Sequence, residues 1–265
     1  MNSKTQIIAT IGPASKDKRM LRKMIEHNMD VARLNFSWGT HEEHKQFIKN
    51  IRELEIELNR RIPIIQDLSG PRIQNKDGHT FNSDMVEILT KKDLKDLAFG
   101  IENEVDYVAL SFVSSSRDVD LLREAMKKLG KVVPIIAKIE RAVALVNIDQ
   151  IIENAEAIMI ARGDLGDDVP LERIPFIEKD IIEKCKAAGK PVVVATQVLL
   201  SMVKNPTPTR AEMTDVAYAV LTGADGLMLS EETAMGKYPL ESVQIMEQGI
   251  KEAEGHLRSV EINSL

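Results

Sequence analysis

The sequence predicts an α/β protein and, within that class, a (β/α)8 barrel. Apolar runs of strand length recur along the 265 residues, separated by stretches with helical periodicity. These runs do not alternate with polar residues, as strands of a parallel sheet covered by helices require. Where the runs do carry charge, they carry it at their C-terminal ends, the face on which such barrels build their sites.

In order, the strands read QIIATIG (6–12), VARLNF (31–36), PIIQDL (63–68), YVALSFV (107–113), VPIIAKIE (133–140), AIMIAR (157–162), PVVVAT (191–196) and GLMLS (226–230). Helical patterns fill 18–28, 41–60, the stretch opening at LTKKDL, 118–129, 142–155, 173–188, 209–223 and 239–255. Thr209 with Glu212 three residues on forms a capping box at one helix start. A doubly wound open sheet is the alternative, but it does not need eight strands, and the first βα turn, TIGPAS, lacks a G-x-G-x-x-G fingerprint. The polar, turn-rich NKDGHTFNSDMVEI (75–88) interrupts the rhythm. It is too short to hold a core, so residues 1–265 read as one barrel domain with a short excursion over 74–90.

Composition excludes several classes. The 35 basic and 41 acidic residues are interspersed and give a net charge of −6, with no basic cluster interleaved with aromatics, so no nucleic-acid partner is expected. A single cysteine, Cys185, rules out an intramolecular disulfide and a Cys-built zinc site. The start lacks the pattern of a secretory signal, and no apolar run reaches membrane-spanning length. A cytoplasmic protein without a membrane partner is the expectation.

The strand ends collect the polar residues. They are Arg33, Asn35 and Ser37 on the second strand, Asp67 and Ser69 on the third, Ser111 on the fourth, and Lys138 and Glu140 on the fifth. Arg162 and Asp164 follow on the sixth, Thr196 on the seventh, Ser230 and Glu232 on the eighth. Lys138 and Glu140 are two apart and so share a strand face, where a buried cation and anion need a reason to exist. Glu140 and Asp164 could give Mg2+ or Mn2+ two hard oxygen ligands, and that ion usually takes only one or two carboxylates. Beside such a metal, Lys138 would have its pKa pushed down, which suits proton transfer at a carbon next to a carbonyl. ARGDLG (161–166) offers backbone N–H groups to a substrate carboxylate. His41 and His44 face the same way on a helix start, but no carboxylate pattern accompanies them. His27, His79 and His256 read as surface residues.

At these residues the sequence resembles pyruvate kinase. The stretches that carry the resemblance are ATIGPAS (9–15), ARLNFSWGTHEEH (32–44), DLSGPRI (67–73), IIAKIE (135–140), ARGDLG (161–166), VVVATQ (192–197), PTPTRAE (206–212) and MLSEETAMGKYP (228–239). The resemblance implies a TIM barrel of the phosphoenolpyruvate/pyruvate-binding type. It implies that Lys138 lies near the transferred phosphoryl group and the enolate, that Arg33 contacts the phosphoryl group, and that Glu140 and Asp164 bind the divalent metal. The backbone of Ala161, Arg162, Gly163 and Asp164 becomes the substrate-carboxylate site, with Ser111 beside it. Thr196 faces the enolate, and Ser230 and Glu232 stand behind the proton-delivery path. Asn35, Ser37, Asp67 and the Leu68 carbonyl match a potassium site. Arg72 brings a positive charge there, so K+ dependence is not expected.

The sequence also departs from the family. The β domain that members insert after the third strand is reduced to roughly 74–90, and the C-terminal regulatory domain has no counterpart. Gln74 stands where the family has an arginine that reaches the phosphates, and Trp38 replaces a histidine. Losing a lid and an arginine weakens the clamp on ADP more than it weakens enolate chemistry. The expected function is therefore metal-dependent chemistry on pyruvate, phosphoenolpyruvate or another 2-oxo acid through a metal-bound enolate, with a C–C lyase (aldolase or decarboxylase) favoured. A minimal, lidless pyruvate kinase that moves phosphate between phosphoenolpyruvate and ADP is the alternative. The intact strand-end charges argue against a non-catalytic relic. Surfaces that the family's other domains would cover leave room for self-association into a homo-oligomer.

Overall fold

The computed structural model describes residues 3–75, 78–81 and 88–263. The strands are β1 (Gln6–Thr10), β2 (Val31–Asn35), β3 (Ile64–Asp67), β4 (Arg72–Asn75), β5 (Gly78–Phe81), β6 (Tyr107–Leu110), β7 (Ile135–Ile139), β8 (Ala157–Ala161), β9 (Val192–Ala195) and β10 (Gly226–Leu229). Eight of them close a barrel in the order β1-β10-β9-β8-β7-β6-β3-β2. Every barrel pairing is parallel, and β1 joins both β2 and β10, so the sheet has no free edge.

Period-two alternation separates two cores. Residues such as Ile7, Ala32, Leu34, Ile64, Val108 and Ile135 face the helices in the larger cluster. Ile8, Val31, Ile65, Ala109, Ile136, Ala157, Met159, Val193, Ala195 and Met228 fill the barrel interior. The next inward position after Ile8, Val31, Ile65, Ala109, Ile136 and Met228 holds Thr10, Arg33, Asp67, Ser111, Lys138 and Ser230 in turn. The strand-end residues are thus the last inward positions of the interior stack, at the C-terminal ends of their strands.

The opposite end has its own order. Asp30, Asp106, Glu156 and Asp225 each precede a strand and accept an amide at the start of the neighbouring barrel strand, from Ile7, Ile64, Ile135 and Val192 in turn, at 2.7–3.0 Å. Arg60, Arg52, Arg123 and Lys186 pair with these four carboxylates. Amides that a parallel sheet leaves open at its lower rim are satisfied there by charged acceptors.

Three features differ from the sequence reading. The excursion contributes an antiparallel pair, β4 with β5; residues 76–77 and 82–87, and the Gln74 side chain, lie outside the described part. The helix expected over 142–155 is two helices, Ala142–Val146 and Ile148–Asn154, broken at Asn147 (φ −108°, ψ 12°). A short helix, Arg162–Asp168, begins where the sixth strand was expected to end. The Thr209 box forms as expected: Thr209 Oγ1 accepts from the Glu212 amide (3.2 Å), and Glu212 Oε2 accepts from the Thr209 amide (2.7 Å). Cys185 is buried, and burial pushes its thiol up to about 12. No described helix is long and apolar enough to cross a membrane.

Gly12 sits where the end of β1 meets the helix Glu231–Ala234. A Cβ there would lie 2.7 Å from the Ala234 carbonyl oxygen, a backbone atom that cannot swing away. Gly12→Ala is expected to cost about 1–3 kcal/mol, as overpacking does, and to lower the Tm by several degrees in a thermal melt.

Candidate active site

The ends of β1, β2, β3, β6 and β7 contribute to one chain of charged and polar side chains. Arg33 donates from Nε to Asp67 Oδ2 (2.9 Å) and from a terminal nitrogen to Thr10 Oγ1 (3.1 Å). Asp67 Oδ1 accepts from Lys138 Nζ at 3.0 Å. Lys138 also donates to Ser111 Oγ (2.8 Å) and pairs with Glu140 Oε1 (2.8 Å). All six residues are at least nine-tenths buried. Ser111 Oγ donates in turn to the Leu68 carbonyl (2.7 Å). Burial alone would raise the Asp67 carboxyl, but Lys138 and Arg33 outweigh it and hold the pKa at about 2. Asp67 is therefore the anchor for both cations, a role that the resemblance did not give it.

Glu140 has the opposite character. Burial and then the nearby Asp164 charge raise its pKa, while Lys138 and Arg72 work against the shift. Oε2 accepts the Phe112 amide at 2.6 Å. The Lys138 ion pair lacks hydrogen-bond alignment, so buried Oε1 has no hydrogen-bond partner among the described residues. A divalent cation between Glu140 and Asp164 would take up that oxygen and relieve the repulsion between the two carboxylates. Two carboxylates suit Mg2+ or Mn2+, whose remaining ligands are water and substrate. Among the described residues no group of three or more His, Cys, Asp or Glu could hold a metal. The donor set therefore fits a hard ion and not a structural zinc.

Arg72 reaches the same cluster from the hairpin. Its Nε donates to the Ser69 carbonyl (2.5 Å), one terminal nitrogen lies 3.4 Å from Ser111 Oγ, and the guanidinium stands 5.2 Å from the Phe112 ring centre. Of the residues matched to a potassium site, Asn35 caps the Ser37 amide (3.1 Å), and Ser37 Oγ is buried without a hydrogen-bond partner among the described residues. Asp67 and the Leu68 carbonyl are already engaged as described.

A second group lies across β8, β9 and β10. Thr196 Oγ1 accepts the Gly163 amide at 2.7 Å and donates to the Ala195 carbonyl at 2.6 Å. Thr196 thus sits on an amide of the segment expected to hold a carboxylate. Thr196 and Gln197 both have left-handed φ, 69° and 54°, and Phe112 after β6 has 58°. Such residues cost of order 1–3 kcal/mol each and persist where the surroundings hold them. The Arg162 side chain leaves the mouth to bind Asp215 (2.6 Å), Glu178 (3.2 Å) and the Thr196 carbonyl (3.0 Å). Ser230 Oγ is buried without a hydrogen-bond partner among the described residues, and Glu232 spends both oxygens on backbone amides.

The histidine pair does not converge. His41 Nε2 is 2.7 Å from Asp96 Oδ1, and its ring stacks on Phe99. His44 Nε2 meets the Trp38 carbonyl (2.9 Å), with its ring stacked on Phe36. Thr10 belongs to the site but was missed. It is a polar residue at the end of β1, and the rule that found Arg33 would have found it. The Phe112 amide carried no residue-type signal.

The chain matches the family described as "Pyruvate kinase, barrel domain" over residues 2–88 and 75–243. It is 36% identical over 337 residues to "Pyruvate kinase" of Thermococcus litoralis, covering 97% of this chain and 71% of that protein. It is also 36% identical to "Pyruvate kinase 2" of Synechocystis sp. (92% and 55%) and to "Pyruvate kinase" of Dictyostelium discoideum (95% and 66%). The chain thus spans between about half and seven-tenths of these relatives' lengths. An alignment of 337 residues against a chain of 265 means that the relative carries residues with no counterpart here. These relatives bear the name of a phosphotransferase, which favours the kinase alternative over the lyase expected from the sequence.

Proposed function

The chain belongs to the pyruvate kinase family, and on that premise we propose that it transfers a phosphoryl group between phosphoenolpyruvate and a nucleoside diphosphate such as ADP at the top of the barrel. The observation that carries this reading is the buried Arg33–Asp67–Lys138–Glu140 chain. Two cations held rigid by one carboxylate present fixed positive charge to a phosphoryl group and to an enolate oxygen, with no reorganisation during reaction. Lys138, carrying three N–H donors and aligned with Asp67 and Ser111, is placed to hold a proton for delivery to the enolate carbon. Arg33 steadies the phosphoryl oxygens, and Arg72 adds charge from the hairpin side. Glu140 and Asp164 would hold Mg2+ or Mn2+, which when bound neutralises the phosphate and the substrate carboxylate and polarises the carbonyl. In this reading the short segment 74–90 stands where relatives carry their inserted domain, so closure over the nucleotide is weaker and its KM high.

The test is ³¹P NMR of the purified protein with phosphoenolpyruvate, ADP and Mg2+. ATP signals that vanish on chelation are expected. Free phosphate without ATP, or phosphoenolpyruvate left intact, would reject the kinase reading, and intact phosphoenolpyruvate would direct the screen to cleavage of 2-oxo acids. With Arg72 beside Ser111, replacing K+ by tetramethylammonium is expected to leave the rate unchanged. A collapse of the rate would show that Arg72 does not stand in for the monovalent cation.

A further inference from the structure

We infer that Glu232 is a positioning residue that holds Thr196 and the Gly163 amide in register, and that it does not transfer a proton. Its Oε1 accepts the Leu199 amide at 3.0 Å and its Oε2 the Ser230 amide at 2.7 Å, so the carboxylate ties the end of β10 to the segment after β9. The side chain is buried. That segment opens with Thr196 and Gln197, both left-handed and without glycine's freedom, a conformation that needs an external hold. Glu232 supplies the hold three residues downstream. Thr196 Oγ1 in turn receives the Gly163 amide, which completes a relay from Glu232 through Leu199 and Thr196 to Gly163. The short helix that carries Glu232 is itself pinned, because Thr233 Oγ1 donates to the Thr10 carbonyl at 2.9 Å. Each Glu232 oxygen already accepts a backbone amide, so both ends of the carboxylate are committed to the main chain.

The functional half of this inference rests on the kinase reading; the structural half does not. Amide hydrogen exchange on the full chain without substrate tests the structure. Glu232→Ala is expected to raise exchange at Leu199 and Gly163 about tenfold, the value of roughly one lost hydrogen bond, while Val194 in β9 stays protected. Unchanged exchange at both amides would overturn the relay. Kinetics with phosphoenolpyruvate, ADP and Mg2+ test the role. Glu232→Ala is expected to lower kcat without moving the acid limb of the pH profile, and the Thr196→Ala/Glu232→Ala double variant to be no slower than Thr196→Ala alone. A shifted acid limb, or additive losses in the double variant, would instead make Glu232 an independent proton-transfer group. Should Glu232→Ala fail to fold, Glu232→Gln keeps the volume and one acceptor and gives the same readouts. Loss of exchange protection in a protein with no kinase activity would uphold the relay and reject only the kinase reading.

Discussion

Lys138→Met is expected to lower the rate of phosphoryl transfer by about 10²–10³-fold, the usual loss when one preorganised electrostatic group is removed from a reacting centre. The Lys138 ammonium touches Asp67, Ser111 and Glu140 at once. No neighbouring side chain takes its place, since Arg33 and Arg72 are held by their own partners. Methionine keeps most of the stem volume, so the apolar contacts survive while the charge is lost. Steady-state assays of ATP formation read the effect, and circular dichroism checks that the barrel is retained. A variant within threefold of wild type, roughly 0.7 kcal/mol, would remove Lys138 from the chemistry.

Asp67→Ala is expected to be the most damaging single change to stability, at about 3–5 kcal/mol, because it leaves buried cations without their counter-charge. Arg33 is hit hardest: its other described side-chain partner is the uncharged Thr10. Lys138 retains Glu140. Urea titration of the variant against wild type measures the loss. The same carboxylate sets part of the acid response. Its folded pKa of about 2 lies below the ordinary aspartate value of 3.8, so ionised Asp67 stabilises the fold at every pH above about 4. That contribution, on the order of 2–3 kcal/mol, is lost as the pH falls from about 4 to about 2. In Asp67→Asn this portion of the acid dependence should be missing. An Asn variant that follows the wild-type curve through that window would show that Asp67 is not the anchor.

The amino-acid pattern by itself determined the barrel. Short apolar runs without alternation read as strands covered on both faces, and eight of them alternating with helical stretches favour a closed parallel sheet over an open one. It also determined which residues gather at the mouth, because period two carries every residue two beyond an inward apolar side chain onto the same face. Lys138 above Ile136 and Asp67 above Ile65 follow from spacing alone. Local chemistry was legible too: the Thr209–Glu212 box needs only residues three apart.

Tertiary structure decided who pairs with whom. Asp67 lies 71 positions from Lys138 and 34 from Arg33, and nothing in the sequence says that one carboxylate serves both. That follows from the strand order, which sets β2, β3, β6 and β7 side by side. Closure also turned Arg162 outward to Glu178 and Asp215, and set Thr196 Oγ1 on the Gly163 amide. The left-handed turn at Thr196–Gln197 carries no glycine or asparagine to announce it. Neighbouring strands hold that turn against its own preference, and a one-dimensional pattern does not record an energy that arises only from contacts between them.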